Sequence, residues 1–221
     1  MKILHTSDLH LTEGAKKRLL SFDEDFDLWL DTGDFFPTYG RRPNTHYRID
    51  ADAEKWFQNK WCNYKDIDKK LKKWLNGRPV IYVSGNHDFI DLGTVLKLAG
   101  HENVHMITPE GLDMFGHRWA GFREVPPISG QWAGECYDFS DIIEKTLQFE
   151  PDILVTHAPA HGILDEIANY GISELTNQLM YKPSYIAHHF FGHCHVDGGK
   201  MLELRGIKFV NGAQHMKVWE I

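Results

Sequence analysis

The chain has 221 residues, of which 42% are hydrophobic and 25% charged, and its formal net charge is −7. That length supports a full hydrophobic core and that composition excludes a disordered chain. The negative balance argues against nucleic-acid binding through a broad basic face, although divalent metals held by acidic residues would make a local site positive. No apolar run approaches the roughly 18 residues of a membrane span, and no signal peptide is expected. Cys62, Cys136 and Cys194 are dispersed and odd in number, which suggests neither a disulfide framework nor a Cys-Cys zinc motif and fits a reducing cytoplasm. The informative excess is histidine, with 14 in the chain.

Lys2 to Ser7 reads as a first strand, with Asp8 and His10 at its C-terminal end. Two residues separated by one can point the same way off an extended segment, and a carboxylate with an imidazole is a plausible metal pair. His5, inside the strand, reads as a core histidine. Leu11 to Leu20 is a loop and a short basic helix. Asp27 to Thr32 is the second strand, ended by Gly33-Asp34, with Phe35 and Phe36 as packing residues. Tyr39 to Arg48, rich in Gly, Pro, Asn and Arg, reads as a loop. From Ala51 to Leu75 the spacing of Trp56, Trp61, Ile67, Leu71, Trp74 and Leu75 is close to helical. This predicts one or two amphipathic helices, an insertion covering about residues 40–76. Its tryptophans are expected to face inward and its lysines to be solvated; the alternative is a basic-aromatic surface for single-stranded nucleic acid.

Val80 to Val83 is a short apolar run that stops at Gly85-Asn86-His87-Asp88. It reads as a buried strand whose polar end stands where open α/β sheets bind ligands, or as a turn capping the next helix. A helix over Thr94–Ala99 follows, then strands over Val104–Thr108, Leu112–Phe115 and Arg118–Phe122, the last two joined at Gly116-His117. Arg123 comes directly after. Phe139–Leu147 is helical. Ile153–Thr156 is a buried strand ending in His157, with a loop through His161-Gly162. Ile172–Met180 is a helix. Ser184–Phe191 is a strand ending in Gly192-His193-Cys194-His195. Met201–Leu204 and Ile207–Val210 form a hairpin, and Lys217–Ile221 is the last strand.

Five strands therefore end in Asp8-x-His10, Gly33-Asp34, Gly85-Asn86-His87-Asp88, His157 and Gly192-His193-x-His195. If they share a sheet edge, these residues converge. Carboxylates and neutral imidazoles crowded into one pocket are costly unless divalent cations neutralise them. Seven oxygen and nitrogen ligands without a thiolate suggest Mn, Fe or Zn, with Mg possible, and seven is too many for one open catalytic metal. Two metals sharing a carboxylate fit better.

Taken together, these motifs resemble the calcineurin-like metallophosphoesterase superfamily, in order from Asp8 to His195. The resemblance implies an α/β fold, a two-sheet β sandwich flanked by helices in four αββα layers, forming one domain over residues 1–221. It implies that Asp8, His10, Asp34 and His195 hold one metal and that Asp34, as the bridge, Asn86, His157 and His193 hold the other. His87 would be the general acid, possibly oriented by Asp88. Thr156-His157-Ala158-Pro159 with Gly162 and Asp165 is similar to the compact single-domain phosphodiesterase branch. Many protein-phosphatase-type members continue motif two as Gly-Asp-x-x-Asp-Arg, whereas here Gly33-Asp34 is followed by Phe35-Phe36-Pro37-Thr38. The orienting acid and the phosphate-binding arginine are absent from that place. Arg123, Arg41 or Arg42 could supply the guanidinium, and His161 could line the pocket. His188, His189 and Cys194 read as packing residues.

The reaction so implied is hydrolysis of a phosphate ester, a phosphodiester first, in a small diester or nucleotide-type substrate, with two divalent cations and manganese the leading candidate. Two rivals stand beside it. A nuclease would use the basic-aromatic segment but meets the negative charge of the chain; a non-catalytic scaffold of this fold would have lost metal ligands, and none is substituted here.

Overall fold

The computed structural model describes residues 1–39, 49–165 and 170–221, Tyr64 by its backbone alone. Two mixed sheets lie face to face. In the first, β1 (Lys2–Thr6), β2 (Leu28–Asp31), β3 (Val80–Tyr82) and β4 (Val104–Met106) run parallel, and β11 (Met216–Glu220) pairs antiparallel with β1. In the second, the order runs from β5 (Leu112–Met114) through β6 (His117–Phe122), β7 (Ile153–Thr156), β8 (His188–Phe191) and β10 (Ile207–Asn211) to β9 (Met201–Leu204).

Side chains alternate across each strand, and this alternation builds the layers. Ile3, Leu28, Leu30 and Ile81 of the first sheet meet Trp119, Ile153, Val155, Phe190 and Val210 of the second in a core between the sheets. Their neighbours Leu4, Trp29, Val80 and Tyr82 face the other way, under α1 (Glu13–Leu20), α2 (Ala51–Lys65), α3 (Ile67–Leu75) and α4 (Leu92–Leu98). On the far side Phe122, Leu154, Phe191 and Phe209 pack under α5 (Ser140–Gln148) and α6 (Ser173–Tyr181). The expected αββα order is present. Burying each Leu or Ile is worth roughly 1.5–3 kcal/mol, and a one-residue slip would turn a whole strand inside out, so the register is strongly determined.

Most expected elements lie within a residue or two of their places, and five details differ. The strand expected over Ser184–Phe191 begins only at His188, because Pro183 lacks an N–H and Ser184 Oγ accepts from Ile186 N instead. The hairpin turn is Phe115-Gly116, both at positive φ (56° and 79°), so His117 belongs to the strand. A 3₁₀ turn over His195–Asp197 was not foreseen. Trp74 and Trp61 pack inward as expected, but Trp56 is 57% exposed with Lys60 over its ring. Most consequentially, the five motif-bearing strands do not share one sheet edge: β1, β2 and β3 belong to the first sheet, β7 and β8 to the second. Their C-terminal ends meet across the sandwich. Among the described residues no helix is long and apolar enough to cross a membrane.

Candidate metal centre

The backbone at the rim is bent to present side chains. Asp8 (φ 53°), His10 (44°), Asp34 (55°) and His193 (66°) all adopt the left-handed conformation, which few non-glycine residues take and which concentrates at functional sites. Asp8 N donates to Gly33 O at 2.8 Å and His10 N to Asp34 O at 2.9 Å, lacing the first two motif loops together. Two glycines allow the close approach. A Cβ on Gly85 would collide with the carboxylate and amide of Asp34, and one on Gly192 with Ser7 Oγ and Asp8 Oδ2.

Acidic groups from the first sheet meet imidazoles from the second. His195 Nε2 lies 3.0 Å from Asp8 Oδ1. His157 Nε2 lies 3.5 Å from Asp34 Oδ1 and 3.1 Å from Asn86 Oδ1. The other oxygen of Asp34, Oδ2, faces His10 Nε2 at 3.9 Å and His87 Nε2 at 3.8 Å. The rings of His193 and His157 stand 5.0 Å apart. Ligand atoms of Asp8, His10 and His195, of His10, Asp34 and His87, and of Asp8, Asp34 and His157 each fall within 4.8 Å of one another. All seven residues expected to hold metal are therefore brought to one place, with His87 beside them.

Without a cation these groups titrate as strained pairs. Burial works to raise the Asp8 carboxyl, but the His195 hydrogen bond and His157 bring it down to about 2. Burial likewise opposes ionisation of Asp34, yet the charges of His157 and His87 hold it well below the carboxylate range. His157, although buried, is pushed up to about 9 by Asp34. His193 is brought down to about 4 by burial and by the neighbouring His157 charge.

The unmatched atoms fit a cation. Among the described residues, both ring nitrogens of His10 and Nε2 of His193 are buried and meet no hydrogen-bond partner, which costs roughly 1–3 kcal/mol per group unless something binds there. His157 Nδ1–H donates to Thr32 O at 2.7 Å, which turns Nε2 towards the cluster, as a metal-ligating imidazole requires. Carboxylate, amide and imidazole donors without a thiolate suit Mn, Fe, Zn or Mg.

The supports differ from those expected. Asp88 does not orient His87. Its carboxylate accepts from Gly85 N and Asp34 N, both at 2.8 Å, and from Phe36 N at 3.0 Å, tying the second motif loop to the third. Burial and the nearby Asp34 charge raise Asp88 to about 6. His87 Nδ1 instead meets Thr38 Oγ1 at 2.8 Å, and its ring packs 4.0 Å from Trp132. Arg123 reaches the same turn, where Nη2 donates to Gly85 O at 2.9 Å and to Asp88 O at 3.4 Å. His161 Nδ1 lies 3.3 Å from Asp165 Oδ2 with its side chain 40% exposed, and among the described residues it joins none of the candidate ligand groups. Arg41 and Arg42 lie outside the described residues. His5 and His189 are core residues bonded to Thr32 and Thr156 hydroxyls, and burial pushes the Cys194 thiol up to about 12, as packing residues should behave.

Four contributors escaped the sequence reading. Gln58, fully buried on α2, accepts from Phe89 N (2.9 Å) and Ile90 N (3.2 Å) and donates to His87 O (2.7 Å) and Pro37 O (3.3 Å), so the helical insertion clamps two motif loops. The available sign was a pair of polar residues, Glu54 and Gln58, on the helical face shared with Cys62. Thr38 stands one place beyond the expected orienting acid. Trp132 sits between Gly130 and Gly134 in the loop before α5. Gln214 meets His195 Nδ1 at 3.0 Å, and nothing in its neighbourhood marked it.

No curated protein matches the sequence. Among solved structures the chain is similar to the sulfate thiohydrolase SoxB of Thermus thermophilus in complex with glycerol, with 13% identity and a TM-score of 0.44, over 99% of this chain and 54% of that one. The chain thus spans about half the length of that structure. Residues 1–197 match the calcineurin-like phosphoesterase family, and the chain belongs to that family.

Proposed function

We propose that this protein is a metal-dependent hydrolase of phosphate esters, phosphodiesters foremost, working with two divalent cations. Asp8, His10, Asp34 and His195 would hold one cation, and Asp34, Asn86, His157 and His193 the other. The observation that carries this reading is the division of Asp34: Oδ1 faces His157 while Oδ2 faces His10 and His87. A carboxylate so placed serves both sides of the cluster. Bound there, the cations would lower the pKa of a water towards neutrality and neutralise charge on phosphate oxygens.

The remaining work falls to the chain itself. In its imidazolium form His87 donates Nδ1–H to the Thr38 hydroxyl, while Nε2, which points into the cluster, carries the second proton. It can then pass that proton to a leaving alkoxide. Asp88, Gln58 and Arg123 hold the turn that carries Asn86 and His87, so the donor is aimed before substrate arrives. Manganese is the preferred cation, with iron, zinc and magnesium as alternatives, because the imidazoles favour Mn and later metals over Mg. A small diester or nucleotide-type substrate and a cytoplasmic setting complete the proposal.

The test is to strip the protein with chelator, reload it and assay aryl and alkyl mono- and diesters. Activity should vanish on chelation and return with Mn at least as well as with Mg. Full turnover in excess chelator would overturn the metal-dependent reading.

A further inference from the structure

The loop between β6 and α5 is built against the site. Val125 N donates to Gly134 O and Cys136 N to Val125 O, each at 2.9 Å, closing the loop at its base. Glu135 Oε1 accepts from Ile128 N and Ser129 N inside it, at 2.8 and 2.7 Å. Ala133 N donates to Asn86 O at 3.2 Å, and Gln131 Oε1 accepts from Ile49 N at 2.8 Å. The loop is therefore pinned to the candidate ligand Asn86 on one side and to the insertion on the other. Between those pins stands Trp132, half-buried, its ring 4.0 Å from the His87 ring and 6.4 Å from Phe89.

We infer that Trp132 forms the leaving-group subsite of this enzyme and selects phosphodiesters whose leaving alcohol carries a planar ring, the nucleoside class. The inference rests on the phosphoesterase reading above. If His87 protonates the departing oxygen, the alcohol must lie against His87 as the bond breaks. Among the described residues the Trp132 indole packs against that imidazole, ring to ring at 4.0 Å. Thr38 meets the His87 ring at Nδ1 while Nε2 faces the cluster, and the indole packs against that same ring, so an alcohol receiving the Nε2 proton would have an aromatic surface nearby. An indole holds a nucleobase by stacking irrespective of which base it is, and such contacts are worth about tenfold to a hundredfold in binding. An indole that merely braced His87 would act on every substrate alike.

The experiment compares two diesters with primary, similarly basic leaving alkoxides: methyl adenosine 5′-phosphate, read by adenosine release, and methyl glycerol 1-phosphate, read by glycerol release. The Mn-loaded parent should prefer the adenosine ester. Trp132→Ala should lower kcat/KM for adenosine release about tenfold or more beyond whatever it takes from glycerol release. Trp132→Phe should keep most of the preference. Adenosine monophosphate should also quench tryptophan fluorescence of the parent, and this quenching should weaken in Trp132→Phe. Equal losses on both esters would make Trp132 a positioning residue for His87 and overturn the subsite, as would quenching unchanged in Trp132→Phe. A Mn-loaded parent inert towards both esters would overturn the diesterase reading itself, and the subsite with it.

Discussion

The first sheet brings Asp8, His10, Asp34 and Asn86 to the rim, whereas the second brings His157, His193 and His195 and, among the described residues, adds no carboxylate to the candidate ligand groups. The two sides are also built differently. Loops of the first sheet are stapled by buried groups: Asp88 takes three backbone N–H groups and Gln58 spans two loops. On the second side buried Asn211 donates to Cys194 O at 2.8 Å and Leu164 O at 3.2 Å and accepts from Ala213 N at 2.9 Å, while His157 Nδ1 to Thr32 O and His193 N to Asp8 Oδ2 at 2.8 Å tie it to the first, and the exposed Gln214 meets His195. Acids clustered on one sheet would repel one another. Opposing imidazoles reduce that repulsion in the metal-free protein, and under the proposed function they would bind the cations. Loading would then displace the proton that Asp34 holds on His157, whose pKa is pushed up to about 9.

The largest expected effect lies at the residue both sides share. Asp34→Asn should reduce metal-dependent turnover on the order of 10³-fold, equivalent to several kcal/mol of lost charge stabilisation. Asn86→Ala, at equal metal concentration, should lose less, because it serves one side only. Similar small losses in both, measured with elemental analysis of each protein, would remove Asp34 from the bridging place.

Next comes the group beside the cluster. His87→Ala should keep its metal content and lose ~10²–10⁴-fold on an alkyl ester, but much less on a nitrophenyl ester, whose leaving group needs no proton. Depleted metal with equal losses on both substrates would make His87 a ligand. Thr38→Val should produce a smaller version of the same pattern, up to about tenfold for one lost hydrogen bond.

The staples can be compared directly. Gln58→Ala strands Phe89 N, Ile90 N and His87 O and should cost about 1–3 kcal/mol in urea unfolding of the metal-free protein. Gln214→Ala should cost far less, since Gln214 is exposed. Equal costs would erase the contrast between a buried and an exposed staple.

The smallest effect separates a core histidine from the site histidines of the same sheet. Burial brings His189 down to about 3 from an ordinary value near 6.5. Its folded pKa is depressed, so its contribution is complete above about pH 6.5 and is lost as pH falls from there towards 3. By pH 5 this amounts to about 2 kcal/mol, taken up by protonation of the unfolded chain. His189→Gln should flatten the fall in unfolding free energy between pH 7 and pH 5. An unchanged slope would show that His189 does not carry that dependence.

Strand periodicity, the glycine stops and the polar cargo at each stop were all legible in the chain, because side-chain alternation and strand termination are local properties. The two sheets were expected only through the family resemblance that the motifs from Asp8 to His195 carry; strand ends by themselves suggested one shared edge, which the structure divides between two sheets. The hairpin turn was misplaced by one residue because Phe115 at positive φ is tolerated only at an exposed turn. Thr38, Gln58 and Trp132 stayed hidden for another reason: a hydroxyl, an amide and an indole acquire a role only from what stands opposite them, and those partners are 49, 31 and 45 residues away in sequence for Thr38–His87, Gln58–Phe89 and Trp132–His87.

By itself the sequence determined which residues could bind a cation and where each strand would deliver them. Tertiary structure decided that the delivery comes from two sheets, that Asp34 divides its oxygens between them, and that Thr38 rather than Asp88 meets His87. The physical reason is range: residue type and spacing act over a few positions, while the charge balance of a buried site depends on which distant strand ends the core packing brings face to face.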